Sequence, residues 1–319
     1  MQKSLLKNRA RVSKIPPALY MMIVLLIFFG IMVDHYFNFK NFANVMNQSA
    51  TLLVLACGQT LIVLMQGTDL SLGYMISALS VLWIWLLNAG VPMWLSIPLV
   101  MLAGCVCGLI NGVLVSKLHL PVFIVTLGTQ NIFRSVALLI SDNKTIYFKH
   151  AIFRTIGKGT FLGLTYNVWI ALACFLLTWF MLRRTTFGSR ITALGGNQEA
   201  LTLAGSSVSA NTIKAFVYCG FMASISGLLL TCRIESGNPL GGNGYEFNSV
   251  AAVLLGGTSM REGRGGVGGT ILGVLLIQVL KSGLNMVGIS SIYQNALVGA
   301  VVLLAIVLDA LVKRVQEQD

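Results

Sequence analysis

The stretch SATLLVLACGQTLIVLMQ, residues 49–66, carries no charged side chain from its first residue to its last. The hydrocarbon core of a bilayer is about 30 Å thick, and an α-helix needs roughly 20 apolar residues to cross it. A strand of a membrane barrel would instead alternate apolar and polar side chains, and this stretch does not. It therefore predicts a membrane-spanning α-helix.

Comparable apolar runs follow one another along the whole chain of 319 residues, of which 56% are hydrophobic and only 10% are charged. This composition excludes an ordinary soluble domain. We predict an all-α polytopic membrane protein with about ten transmembrane segments. The third and the eighth are short, and Gly73 precedes the third while Gly256 and Gly257 interrupt the eighth, so each is a candidate for a half-helix or a re-entrant piece. The segments cover about 18–33, 49–66, 74–88, 94–115, 122–140, 167–182, 212–230, 248–259, 268–287 and 292–312.

Lys and Arg flank these segments unevenly, and cationic loops near helix ends are retained on the cytoplasmic side. Their distribution predicts cytoplasmic termini, with residues 1–17 and 313–319 as tails around a single membrane domain, 18–312. It also predicts an outer loop at about 141–166 and a cytoplasmic loop at about 183–211. The net charge of +12 comes from these dispersed juxtamembrane residues, so it does not indicate binding to nucleic acid.

The chain offers little that could carry catalysis. Its three histidines, His35, His119 and His150, fall on different sides of the membrane in this topology, so they cannot meet at one site. The sequence contains no G-x-x-x-x-G-K-[ST] loop to hold the phosphates of ATP, and no metal-ligand spacing. We therefore predict a chain that is not an enzyme and binds neither a cofactor nor a metal itself.

Polar side chains inside the apolar segments are candidates for a solute pathway, although such groups also commonly bind neighbouring helices. Asp69 lies between Gly67 and Gly73, where we predict a break in the helix, and it is predicted to cap a half-helix beginning at Leu70. That cap alone would explain Asp69. Arg134 is either a pathway residue or a partner for a backbone carbonyl. The candidate pathway residues are Gln59, Gln66, Asp69, Asn111, Asn131, Arg134 and Asn285.

The loop at about 183–211 is predicted to contain a short helix. Asn197 is a suitable N-cap for a helix through about residue 204, and Gly205 is a suitable C-terminal stop. A short helix of this kind would fit the groove of a partner protein. A plain connection is the alternative, although the loop is longer than most connections.

Four ordered stretches resemble motifs of the ribose-type permease family of bacterial ATP-binding-cassette (ABC) importers. They are GTDLSLG at 67–73, PVFIVTLG at 121–128, ALGGNQEA at 193–200 and GYEFNSVAAVLLGGTS at 244–259. The resemblance implies a multi-pass permease subunit of the bacterial inner membrane that acts as a homodimer or pairs with a paralogous permease. It also implies ATPase subunits that use ATP and Mg²⁺, and a periplasmic binding protein that delivers a monosaccharide such as ribose, galactose, xylose or allose.

The resemblance further implies that the segment from about 195 to 205 is the helix that couples the permease to its ATPase. The residues assigned to this role are Gly195, Gly196, Asn197, Glu199, Ala200, Ala204 and Gly205. A self-powered secondary carrier or channel is the alternative function. Such a carrier usually holds ionisable residues deep in its spans to bind the coupling ion, and this chain has few of them.

Overall fold

The computed structural model describes residues 17–260, 263–290, 293–294, 296–301 and 303. The 313–319 tail, nearly all of the 1–17 tail and much of the predicted 292–312 segment lie outside the described residues. The named helices are α1 Pro17–Met32, α2 Phe39–Leu64, α3 Leu72–Asn88, α4 Met93–Lys117, α5 Val122–Ile140, α6 Ala151–Lys158, α7 Tyr166–Arg184, α8 Thr186–Gly196, α9 Gln198–Leu203, α10 Val208–Ile234, α11 Tyr245–Leu255 and α12 Val267–Met286. The strands are β1 Ile146–Tyr147, β2 Thr160–Phe161, β3 Leu164–Thr165 and β4 Ser236–Gly237.

Six of the described helices are long and apolar enough to cross a membrane, namely α2, α4, α5, α7, α10 and α12. Each coincides with a predicted segment. The start of α2 was predicted wrongly, because the helix begins at Phe39 rather than near residue 49. The Asn38 side chain accepts a hydrogen bond from Lys40 N at 3.1 Å, and this cap starts the helix in the polar stretch before the apolar run.

Helices α3 and α11, the third and eighth predicted segments, are 17 and 11 residues long. At 1.5 Å per residue they measure about 25 Å and about 16 Å, so α11 is too short to cross a bilayer. Their first turns lie together. Ser77 Oγ accepts a hydrogen bond from Gly242 N at 2.8 Å, and Gly73 leaves the space that the Glu246 carboxylate occupies. Two short helices thus begin side by side.

Helix α2 is the centre of the structure. Its most apolar window is 89% buried, and it packs against α7, α10, α11 and α12. Hydroxyl groups join it to two of these helices: Thr60 Oγ1 lies 2.9 Å from Thr270 Oγ1 of α12, and Ser226 Oγ of α10 donates to Thr51 O at 2.8 Å. Interhelical hydrogen bonds of this kind are typical of membrane proteins.

Helices α4 and α10 pack backbone against backbone. Gly104, Gly108 and Gly112 follow one another at every fourth position of α4 and face α10. A methyl group added at Gly108 would lie 2.8 Å from the carbonyl carbon of Phe216, and one at Gly104 would lie 2.8 Å from Ser224 Cβ. Glycine is therefore required for this close approach.

Residues 141–165 form a small structure of their own. Strand β1 pairs with β4, and β2 pairs with β3 through a turn at Leu162 and Gly163, which both have positive φ. Helix α6 lies between these pairs, and the His150 side chain caps it by accepting from Ile152 N at 3.2 Å. These two-residue strands are the departures from an all-α architecture among the described residues.

Candidate functional site

The short helix predicted in the 183–211 loop is helix α9. Asn197 is its N-cap, with Oδ1 accepting a hydrogen bond from Ala200 N at 2.9 Å. The helix ends at Leu203, and Gly205 follows with φ +74°. Both local features agree with the sequence prediction, because a cap and a stop depend on neighbouring residues alone.

Every residue of helix α9 except Leu201 is exposed. Leu201 is its buried anchor, and the Leu203 side chain is 89% exposed. Of the residues assigned to coupling, all but Gly195 are exposed: Gly196, Asn197, Glu199, Ala200, Ala204 and Gly205. An apolar side chain held at the tip of a capped helix is a feature suited to a partner's groove.

Gly195 joins this loop to the end of α2. A methyl group there would overlap Leu64 O and would lie 3.1 Å from Gly263 Cα, so the backbones of three segments meet at this point. Gln66 completes the contact, because its Nε2 donates to Gly195 O at 2.6 Å. One predicted pathway residue therefore contacts one predicted coupling residue.

Three other predicted pathway residues form one buried polar cluster. Asn111 Nδ2 donates to Ser71 Oγ at 3.0 Å, and Ser71 Oγ donates to Asp69 Oδ1 at 2.6 Å. In the amide orientation that satisfies both of its polar atoms, Gln59 donates to Asp69 O at 3.3 Å and accepts from Asp69 N at 3.2 Å. These side chains are at most 1% exposed, and within the part of the chain that the structure describes Asn111 Oδ1 is buried without a hydrogen-bond partner.

The predicted start at Leu70 of the helix that Asp69 was to cap is wrong by two residues. Helix α3 begins at Leu72 with Ser71 at the N-cap position. Asp69 Oδ1 accepts from Ser71 N at 2.9 Å, which is the local turn that Asp side chains favour. This turn ends the 65–71 break, the non-helical stretch between α2 and α3.

Asn131 and Arg134 lie elsewhere, on an exposed face of α5. The Arg134 guanidinium is 5.5 Å from the ring centre of Tyr74 on α3, a cation–π distance. Asn131 Nδ2 donates to Leu127 O at 3.0 Å within its own helix, and Gly128 has no described atom within 4 Å of an added methyl group. We call this surface the α5 face.

Asn285 lies near the end of α12, where its Oδ1 accepts from Gln294 Nε2 at 3.0 Å. The seven predicted pathway residues are thus divided among the buried cluster, the 183–211 loop contact, the α5 face and the end of α12. Sequence reasoning missed three neighbours that complete these sites, Ser71, Tyr74 and Leu203. Ser71 stands in the quoted 67–73 motif, so that signal was available.

The 141–165 segment is joined to α10 by an ion pair. Lys158 Nζ of α6 lies 2.5 Å from Glu235 Oε1, just after α10. The hydrogen bond and positive charge of Lys158 hold the pKa of Glu235 below its ordinary value. Gly157 allows the close approach, since an added methyl group would lie 2.7 Å from the carbonyl carbon of Cys232.

Residues 41–306 match the family model described as the branched-chain amino acid transport system / permease component. The chain is 35% identical over 294 residues to the ribose import permease protein of Haemophilus influenzae, covering 90% of each chain. It is 36% identical to that of Bacillus subtilis, covering 90% of this chain and 89% of the relative. Identity to the D-allose transport system permease protein of Escherichia coli is 30%, covering 92% and 90%.

No solved structure matches the chain significantly. The family model covers most of the sequence, and the relatives match almost from end to end, so the resemblance drawn from the four motifs is confirmed. The chain belongs to this family of transport-system permease components and is a multi-pass membrane protein.

Proposed function

We propose that the chain is the membrane-spanning permease subunit of an ATP-driven monosaccharide importer of the bacterial inner membrane. The similarity to permeases named for ribose and allose, over about 90% of the chain, carries this proposal. The description of the family model names branched-chain amino acids rather than sugars. We favour a sugar because the full-length relatives are named for monosaccharides, and ribose, allose, galactose and xylose are the candidates.

Energy for transport comes from a partner, because the sequence has no phosphate-binding loop. We propose that α9 is the element that docks to an ATPase subunit on the cytoplasmic side. Its exposed tip, its N-cap at Asn197 and its anchor at Leu201 support this role. Closure of the ATPase would then move the docked helix and switch the spans between two states.

We propose that the α5 face lines the solute pathway, opposite the corresponding face of a second permease copy. Arg134 and Asn131 are exposed on a helix predicted to span the membrane, and a charged side chain facing lipid is costly. A path between two copies would give both side chains water and sugar hydroxyl groups as partners. A periplasmic binding protein would deliver the sugar to the outer end of this path.

The docking role of α9 is tested by purifying the chain from its native membrane in Mg²⁺ and identifying the proteins that come with it. Leu203→Glu is expected to abolish recovery of an ATPase, because it places a charge in an apolar contact. Leu162→Glu is the matched control, since Leu162 is also highly exposed, at 77%, in the 141–165 segment. Equal recovery with both variants would contradict the docking role.

The substrate is tested in proteoliposomes that contain the purified complex and its binding protein. We expect ATP-dependent uptake of radiolabelled ribose or allose, and no uptake of leucine. Uptake of leucine without uptake of ribose or allose would contradict the proposal that the substrate is a sugar. Uptake by the chain without an ATPase, driven by an ion gradient, would establish the secondary carrier instead.

A further inference from the structure

We propose that Gln66 is a positioning residue that couples the 183–211 loop to helix α5. Its side chain would carry movement of the docked α9 to the 65–71 break, and from there to the α5 face. This inference rests on the proposed function, and it assigns a mechanical role to a residue that the sequence offered only as a pathway candidate.

The backbone of Gln66 has a conformation that favours glycine. Its φ is +63°, and it ends α2 in a Schellman motif, with Gln66 N bonded to Val63 O and Gly67 N bonded to Ile62 O. The same motif ends α3, α9, α11 and α12. The left-handed residues there are Gly90, Gly205, Gly257 and Gly288, and α5 ends in the same pattern with Asp142 at φ +51°.

A residue other than glycine is less stable in this left-handed backbone conformation. Contacts made by the Gln66 side chain must therefore offset that free-energy cost. One such contact is the 2.6 Å hydrogen bond from Gln66 Nε2 to Gly195 O. Gly195 itself is pressed against Leu64 and Gly263 without intervening side chains. The end of α8 is thus fixed to the end of α2 at two adjacent points.

From Gln66 the contact route continues through a short and well-bonded backbone. The Gln59 amide holds both the N–H and the carbonyl of Asp69. Thr68 O, one residue earlier, accepts a hydrogen bond from Thr126 Oγ1 of α5 at 3.2 Å. Helix α5 then carries Arg134. Two hydrogen bonds and the backbone of residues 66–68 therefore connect the 183–211 loop to the proposed pathway helix.

Three substitutions separate a coupling role from a purely structural one. Gln66→Gly removes the hydrogen bond and relieves the backbone, so the chain is expected to fold with unchanged or higher thermal stability. Gln66→Leu removes the bond but keeps the strained conformation, so stability is expected to fall. Gln66→Lys keeps a donor for Gly195 O and is the conservative variant.

The measurement is hydrogen–deuterium exchange of the permease–ATPase complex in nanodiscs, with and without trapping by Mg²⁺, ATP and vanadate. In the wild type we expect trapping to change exchange in peptides covering 186–205 and 121–130. In Gln66→Gly and Gln66→Leu the change at 186–205 is expected to persist, while that at 121–130 falls by roughly fivefold or more. Gln66→Lys is expected to resemble the wild type.

Thr126→Val removes the next hydrogen bond of the route and is expected to produce the same loss at 121–130. Combined with Gln66→Gly it should add nothing further, because both act on one connection. A wild-type response at 121–130 in both Gln66→Gly and Gln66→Leu would overturn the inference alone. A wild-type complex that lacks an ATPase, or shows no response at 186–205, would overturn the proposed function as well.

Discussion

Replacing Gly195 with Ala tests how the 183–211 loop is seated on the membrane helices. The added methyl group would lie 2.9 Å from the carbonyl carbon of Leu64 and 3.1 Å from Gly263 Cα, and closer still to Leu64 O. Ordinary contacts begin at 3.4 Å. These neighbours are backbone atoms that cannot rotate away, so α8 must shift by more than about 1 Å to clear Leu64 O.

Overpacking of this kind costs about 1–3 kcal/mol, and a shift also weakens the hydrogen bond from Gln66 to Gly195, which is worth about 1 kcal/mol. We take about 2 kcal/mol as the cost of holding α9 in its docking position. If the ATPase binds that position, its apparent affinity falls by the same free energy. A cost of 2 kcal/mol corresponds to a dissociation constant raised about 30-fold.

The assay is titration of labelled ATPase onto the permease in nanodiscs, monitored by thermophoresis. Gly268→Ala is the matched control, because it makes the same change in the first turn of α12, outside the coupling residues, where no described atom lies within 4 Å of the new methyl group. We expect its dissociation constant to stay within about twofold of the wild type. Equal affinities for Gly195→Ala and Gly268→Ala would refute the reasoning from backbone contact.

Three further predictions address the packing, the cap and the ion pair. Gly108→Ala is expected to destabilise the protein by about 1–3 kcal/mol in thermal unfolding, whereas Gly128→Ala, on the open α5 face, should be neutral or stabilising; equal shifts would contradict this. Asn197→Ala removes the N-cap and about 1 kcal/mol, so ATPase affinity should fall about fivefold and recover in Asn197→Ser. Because Lys158 lowers the pKa of Glu235 below its ordinary 4.5, the pair stabilises the fold above that pH and less as pH falls through the lowered value. Glu235→Gln should remove this acid-dependent part of the melting curve, and an unchanged pH profile would contradict it.

Local features of the fold were predictable because their causes lie within a few residues. The length of an apolar run is read directly from the sequence. The predicted segments at 122–140 and 74–88 therefore coincide closely with α5 and α3. Asn197 and Gly205 set the limits of α9 through their own side chain and backbone preferences. The position of Asp69 was harder to interpret, since Asp and Ser are both good N-caps; α3 begins just after Ser71, whose side chain makes no capping hydrogen bond, while Asp69 Oδ1 accepts from Ser71 N.

Features that join distant parts of the chain were not predictable from one sequence. The Gly repeat of α4 indicates close packing but does not identify α10 as its partner. Likewise Gln59 and Asn131 are both amides in apolar segments, yet Gln59 is fully buried against Asp69 and Asn131 is exposed. Pattern alone cannot distinguish these two cases, because burial depends on which helices pack around each residue.

The central position of α2 has a consequence for the order in which the protein is made. Its polar contacts are with residues far ahead in the chain, such as Ser226 and Thr270. At about 5–20 residues per second, the ribosome needs on the order of 10–40 s after releasing α2 to produce those partners. During that interval the Thr60 hydroxyl lacks its partner on α12 and the Thr51 carbonyl lacks its partner on α10. A nascent chain stopped before α10 therefore presents its most buried helix uncovered, and we expect membrane quality-control proteases to recognise that intermediate first.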